Sequence, residues 1–154
     1  MSSDLWSFTL KIYARPDVEK ACLGLQAHGA NVCLLLCALW LGQRGVVCNE
    51  PRLQALRQLA GAWHDEVVQP LRQLRTQWKA AALEDVELGT LREQVKALEL
   101  EAERQLLLRL ENAAQAWPQD QAEDSVIWLL RLAAEAGHLN RDALHQLHVA
   151  VSGT

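Results

Sequence analysis

Four cysteines, Cys22, Cys33, Cys37 and Cys48, are separated by ten, three and ten residues. Thiolates converging on a tetrahedron would hold zinc, and Cys33 and Cys37, one helical turn apart, would share a face. Neither belongs to a Cys-x-x-Cys knuckle, and leucines rather than turn formers flank them. Free cysteine is among the most buried residue types, so the pattern reads as core packing, with reduced thiols and no metal. Glu135-x-x-His138 has the spacing of half a carboxylate-bridged di-metal site, which needs the motif twice and two further glutamates. No second copy exists. His138 follows Gly137, where a helix ends and a cation suits the dipole, and His145-x-x-His148 reads as a solvated face. The chain has no G-x-S-x-G elbow and no glycine-rich phosphate loop. No catalytic residue and no cofactor are assigned, and the reading leans away from an enzyme.

The richest polar constellation combines Val68, Arg72, Arg75 and Lys79 on one stripe with Glu93, Glu99 and Glu103 on another. Arginine forks suit carboxylate or phosphate. Paired with the acids, they would fix the direction and register of two helices. The expected register sets Arg75 opposite Glu93 and Arg72 between Glu93 and Glu99. Left unpaired, Arg72 and Arg75 would instead hold a small anion, with Trp63 and His64 walling the site and Glu99 beside it. The in-register acids favour the structural reading.

These side chains need a scaffold, and 51–82 and 86–117 provide it. Both stretches are helix-like, and their apolar positions pair antiparallel about a turn near Leu83–Asp85: Leu53 with Ala116, Leu56 with Ala113, Trp63 with Leu106, Val67 with Ala102, Leu71 with Leu98, Leu74 with Val95, Trp78 with Leu91. Pro70 removes one backbone donor inside the first arm and predicts a kink. Thr90-x-x-Glu93 has capping-box form and would start the second arm late. Ahead of the hairpin, helices are expected near Asp4–Ala14, from Pro16 to about Gly29 (buried stripe Val18, Ala21, Cys22, Leu25), and from an Asn31 cap through Val32–Leu41. The third is apolar all round and must be surrounded. Behind the hairpin, Asp120 would cap a helix ending at Gly137, and Asn140 a shorter one. The expected architecture is an all-α, single-domain bundle of six or seven helices around a long antiparallel helical hairpin: helices 1–3 at about 4–42, the hairpin at about 51–117 and C-terminal helices at about 120–152.

Half of the residues are hydrophobic, strand formers are few, and the formal net charge is −4. That charge argues against broad phosphate-backbone binding, so nucleic acid is not an expected partner. A helix-turn-helix drawn over 17–40 fails because its second helix could read neither base edges nor phosphates. The most apolar run, Val32–Leu41, falls well short of the roughly 20 residues of a membrane span, so no membrane insertion is expected. No basic segment precedes an apolar run at the start of the chain, which points to a cytoplasmic location. Of six tryptophans, Trp6, Trp40, Trp63 and Trp78 fall on apolar stripes. Trp117 and Trp128 would mark a binding surface if exposed and core if covered.

The residues Leu5-Trp6, Phe8, Leu10, Tyr13, Pro16, Val18, Ala21-Cys22, Leu25-Gln26, Gly29, Val32, Leu35-Leu36 and Leu39-Trp40, followed by Val67-Val68-x-Pro70-Leu71-Arg72-x-Leu74-Arg75 and Glu99-Leu100-x-Ala102-Glu103-Arg104, resemble an uncharacterised family of short proteobacterial proteins, a domain of unknown function. The likeness runs over about 4–112. It implies a bacterial cytoplasmic protein and supplies no activity. The functional expectation is a non-enzymatic interaction or adaptor protein acting through helical surfaces, with a protein partner or a second copy. The alternative is a small-molecule or anion-binding bundle, an enzyme included, using Trp63, His64, Arg72, Arg75 and Glu99 between the hairpin arms.

Overall fold

The computed structural model describes residues 4–15, 17–27 and 31–119 together with Trp128 and Arg131. The helices expected over 120–152, with the Glu135, His138, His145 and His148 motifs, lie outside the described residues, as do Pro16, Gly29 and the Leu25 side chain. The fold is all-α. Its elements are α1 (Asp4–Tyr13), α2 (Val18–Ala27), α3 (Val32–Gln43), α4 (Glu50–Trp63), a π-helical turn (His64–Val68), α5 (Gln69–Gln77), α6 (Lys79–Ala82) and α7 (Val86–Ala114).

Local chemistry sets the boundaries. Asn31 caps α3 by accepting from Leu34 N at 3.2 Å, and Asn49 caps α4 by accepting from Arg52 N at 3.0 Å. After α3 the chain turns through Gly45 at φ 76°, and Val46 N donates back to the Leu41 carbonyl. Glycine carries that left-handed conformation without a Cβ clash. Asp85, not Thr90, caps α7, accepting from Leu88 N at 3.1 Å. Thr90 is already helical, its hydroxyl donating to the Val86 carbonyl, so the second arm starts early.

α4 through α6 form one arm of the hairpin and α7 the other. α1 and α3 pack on α7, α3 also meets α4, and α2 closes against α1 and α3. α3 is buried continuously from Leu35 to Gly42, as its all-round apolarity requires. It lies in a core with Leu5, Ile12, Leu53, Leu56, Leu106, Leu110 and Trp128. Trp128 is fully buried, stacks on Trp117 at 6.4 Å and donates to the Val46 carbonyl at 2.9 Å. That tryptophan is core, not binding surface.

The π turn sets the register. Gln69 N donates to the His64 carbonyl, five residues back. Pro70 follows it in the first turn of α5. A proline ring collides with the carbonyl four residues earlier, and widening the preceding turn relieves that collision. One residue more than an α-helix needs is absorbed, and the inner face moves on by one. Val68, not Val67, is the buried valine, at 1% exposure. The expected seam partner Leu74 is exposed and Leu71 half-buried, while Arg72 and Arg75 reach inward to Glu99 on α7. On α7 the inner positions are Val95, Glu99, Ala102, Leu106, Leu110 and Ala114. The expected Leu71–Leu98 and Trp78–Leu91 pairings are therefore corrected: Leu98 is 56% and Leu91 49% exposed. Likewise Ala113 and Ala116 face outward.

Candidate functional site

Because the π turn shifts the stripe by one, three of the residues singled out by sequence converge. Glu99, a buried charge on α7, accepts from Arg72 Nε at 3.1 Å and from Arg75 through Nε and Nη2, the latter at 3.2 Å. Arg72 Nη2 reaches Glu103 Oε1 at 3.3 Å. Arg92 Nε donates to the Arg75 carbonyl at 2.9 Å, adding a cross-arm tie. The expected Arg75–Glu93 pair does not form, and Glu93 sits beside Lys96 on the same helix.

The two acids titrate in opposite directions. Burial pushes the Glu99 carboxyl up, but hydrogen bonds and charge from Arg75 and Arg72 outweigh it and hold the group below the usual carboxylate range. Glu103 is pushed up by burial and by the neighbouring Glu99 charge, and Arg72 offsets this in part. The π turn and α7 thus bring together two arginines and two carboxylates whose charges cancel.

Trp63 and His64 do not join that cluster as a wall. Trp63 Nε1 donates to the Ala102 carbonyl at 2.8 Å, and the Arg109 guanidinium covers its ring at 4.1 Å. It clamps the two arms. His64 looks instead, with Arg72 and Glu103, into a cavity of about 270 Å³ lined by α1, α2, α3, the π turn and α7. Burial and the Arg72 charge lower its pKa, so the imidazole is neutral at pH 7.

That cavity is mostly apolar, walled by Trp6, Val32, Leu36, Val68, Leu106 and Leu107. Tyr13, Cys22 and Cys33 also line it. Burial is the main cause that raises all three pKa values, so each keeps its proton at neutral pH and neither thiol is an activated nucleophile. Cys37 is fully buried and raised in the same way. All four cysteines are free, and among the described residues no three His, Cys, Asp or Glu side chains are grouped to hold a metal ion.

Sequence reasoning missed Thr9 and Tyr13 as site residues. Thr9 is 6% exposed, between buried Leu5 and Ile12 on one face of α1, and its Oγ1 has no hydrogen-bond partner. The signal was there: a hydroxyl at the middle position of a 5–9–12 seam. Glu99 gives the same signal on α7, a polar residue at the middle position of 95–99–102.

The profile of a family described as protein of unknown function (DUF2390) matches residues 4–110. Every residue lining the cavity, from Trp6 to Leu107, falls inside that stretch. No curated protein and no solved structure matches the chain.

Proposed function

We propose, for a chain that belongs to this family of proteins of unknown function and takes no activity from it, a non-enzymatic role as an interaction module whose working surface is the far half of the hairpin. The observation that carries this reading is a stripe of large apolar side chains left in water. Leu91 and Leu98, seven residues apart on α7, are 49% and 56% exposed, and Leu83 and Val86 at the turn are 86% exposed. Large apolar side chains exposed on a helix are what helical partners take up when they dock. The groups that could have done chemistry are engaged: both arginines on Glu99, Arg72 also on Glu103, and the cavity thiols protonated. A small anion on Arg72 and Arg75 would have to displace two carboxylates, which disfavours that alternative. No described helix is long and apolar enough to cross a membrane. The four free cysteines and the family likeness support a bacterial cytoplasmic setting as part of the same proposal.

The test is the double variant Leu91→Glu/Leu98→Glu. Both side chains are about half exposed, so the fold should survive, with an unchanged thermal midpoint. Sedimentation equilibrium reads self-association, and tagged capture from a bacterial extract, compared between parent and variant, reads a heterologous partner. A dimer that dissociates in the variant, or a stoichiometric partner lost from it, supports the reading. A monomer whose captured proteins are the same in both would refute it.

A further inference from the structure

We propose that the cavity lined by α1, α2, α3, the π turn and α7 is a binding site for a small, uncharged, largely apolar molecule. This goes beyond the hairpin surface and does not depend on it.

Size comes first. An enclosed apolar cavity of about 150 Å³ takes up benzene. At about 270 Å³, this one holds a molecule of roughly ten to twelve heavy atoms. Its mouth is ringed by Leu10, Leu23 and Leu100, which are 53%, 57% and 57% exposed. Three large apolar side chains around an opening give an apolar molecule a favourable path in.

Charge comes second. Among the lining residues the charged side chains are Arg72 and Glu103, and they are bonded to each other at 3.3 Å. Arg72 Nε leans on Glu99 as well. His64 is neutral at pH 7. An ion entering the cavity would find no uncompensated opposite charge, and would lose its hydration for nothing in return. An uncharged molecule does not meet that penalty.

The polar groups on the wall are few and mostly matched. Tyr13 and Cys22 bond to each other, Cys33 Sγ donates to the Glu103 carbonyl at 3.9 Å, and Asn31 caps α3 while its Nδ2 donates to the Ala60 carbonyl. Thr9 Oγ1 is sealed among its neighbours rather than open to the cavity. An entering molecule therefore meets a wall that asks for few hydrogen bonds, which suits a largely apolar ligand.

The probe series is 1-naphthol, naphthalene, 1-naphthoate and 1-naphthylmethylammonium, titrated calorimetrically at pH 7 into the full chain. Naphthol should bind, and the two ions at least about tenfold more weakly. Naphthalene, which has no hydrogen-bonding group, should bind within about tenfold of naphthol. Intermolecular NOEs from naphthol to the methyls of Val32, Leu36 and Leu107 locate the ligand. Absence of those NOEs, or equal binding of naphthol and the ions, would overturn the proposal. Leu91→Glu/Leu98→Glu should bind naphthol like the parent, which separates this site from the hairpin surface.

Discussion

The two halves of the hairpin are built from the same helices but are held together differently. In the near half, α4 meets α7 through Leu53, Leu56, Ala60, Leu106 and Leu110, all at most 1% exposed, under the cover of α1 and α3. In the far half, α5 has no fully buried residue and packs mainly on the facing stretch of α7. There the inner positions belong to Arg72, Arg75 and Glu99. The near half is held by apolar area, the far half by one desolvated carboxylate gripped by two arginines. Apolar packing is non-directional and tolerates small shifts in register. A bidentate charge pair does not. The far half gives up burial and gains a defined register, with its leucines left outside. Both consequences trace to one extra residue at the π turn.

The difference is sharpest in stability. Leu110→Ala, in the near half, should cost about 2–5 kcal/mol, because a fully buried leucine leaves a cavity that surrounding helices fill only in part. Urea denaturation at pH 7 measures it. A loss below about 1 kcal/mol would mean that α1 and α3 do not cover this stretch as described.

Glu99→Ala should come next. Removing the shared acceptor strands two arginines, and breaking a buried pair on one side costs about 3–5 kcal/mol. The Arg72 and Arg75 side chains keep 18% and 28% of their surface in water, and screening lowers this to about 2–3 kcal/mol. Arg75→Ala should cost less, because Arg72 stays on Glu99, and the double variant less than the sum. A double-mutant cycle with no coupling energy would remove the ion cluster as the device that holds the far half.

The near half was legible in the sequence because apolar periodicity reports it directly. Leu53, Leu56, Leu106 and the surrounded α3 all follow from 3–4 spacing and from a run with no polar face. The N-cap at Asn31 was legible for a similar reason, since an amide side chain ahead of an apolar run has one common use. The far half was misread by one residue. Pro70 announced an irregularity but not its kind, and a proline that breaks the helix and one preceded by a π turn look alike in sequence. With no extra residue counted, Leu71 and Leu98 take the seam and Arg75 faces Glu93. With it, Glu99 takes the seam and both arginines turn inward. For the candidate site, Arg72, Arg75 and Glu99 were found because charge patterns are conspicuous. Thr9 was passed over because a single hydroxyl does not disturb an otherwise apolar face.

A smaller effect follows from pH. Glu99 is held below its ordinary range, so its contribution is present above the unfolded carboxyl pKa of about 4.3 and is lost as pH falls through the folded value. Glu103 is raised, so the sign reverses. The folded protein retains its proton where the unfolded chain has released it, and stability declines as pH rises from about 4.3 through the raised value. The parent should therefore exceed Glu99→Gln in urea midpoint at pH 7, with the gap closing below about pH 4. Glu103→Gln should match the parent near pH 4 and equal or exceed it at pH 7. If both variants show the same pH trend relative to the parent, the two acids do not play the opposed roles that the ion cluster gives them.

The smallest effect tests the register most directly. Leu98 sits one position from Glu99, and the two arrangements of the hairpin exchange their places. In the register shown by the sequence periodicity alone, Leu98 is buried against Leu71, and Leu98→Ala would cost as much as Leu110→Ala. In the structure Leu98 is 56% exposed, and Leu98→Ala should change stability by no more than about 0.5 kcal/mol. Exposure also fixes the direction of any residual change. Alanine is the better helix former, by a few tenths of a kcal/mol at most, so a small gain fits a solvated position. A loss of about 2 kcal/mol or more in the isolated protein would place Leu98 in the seam. Since one face of α7 cannot carry both Leu98 and Glu99 inward, that result would turn Glu99 outward, release Arg72 and Arg75, and reopen the anion reading that their pairing now disfavours.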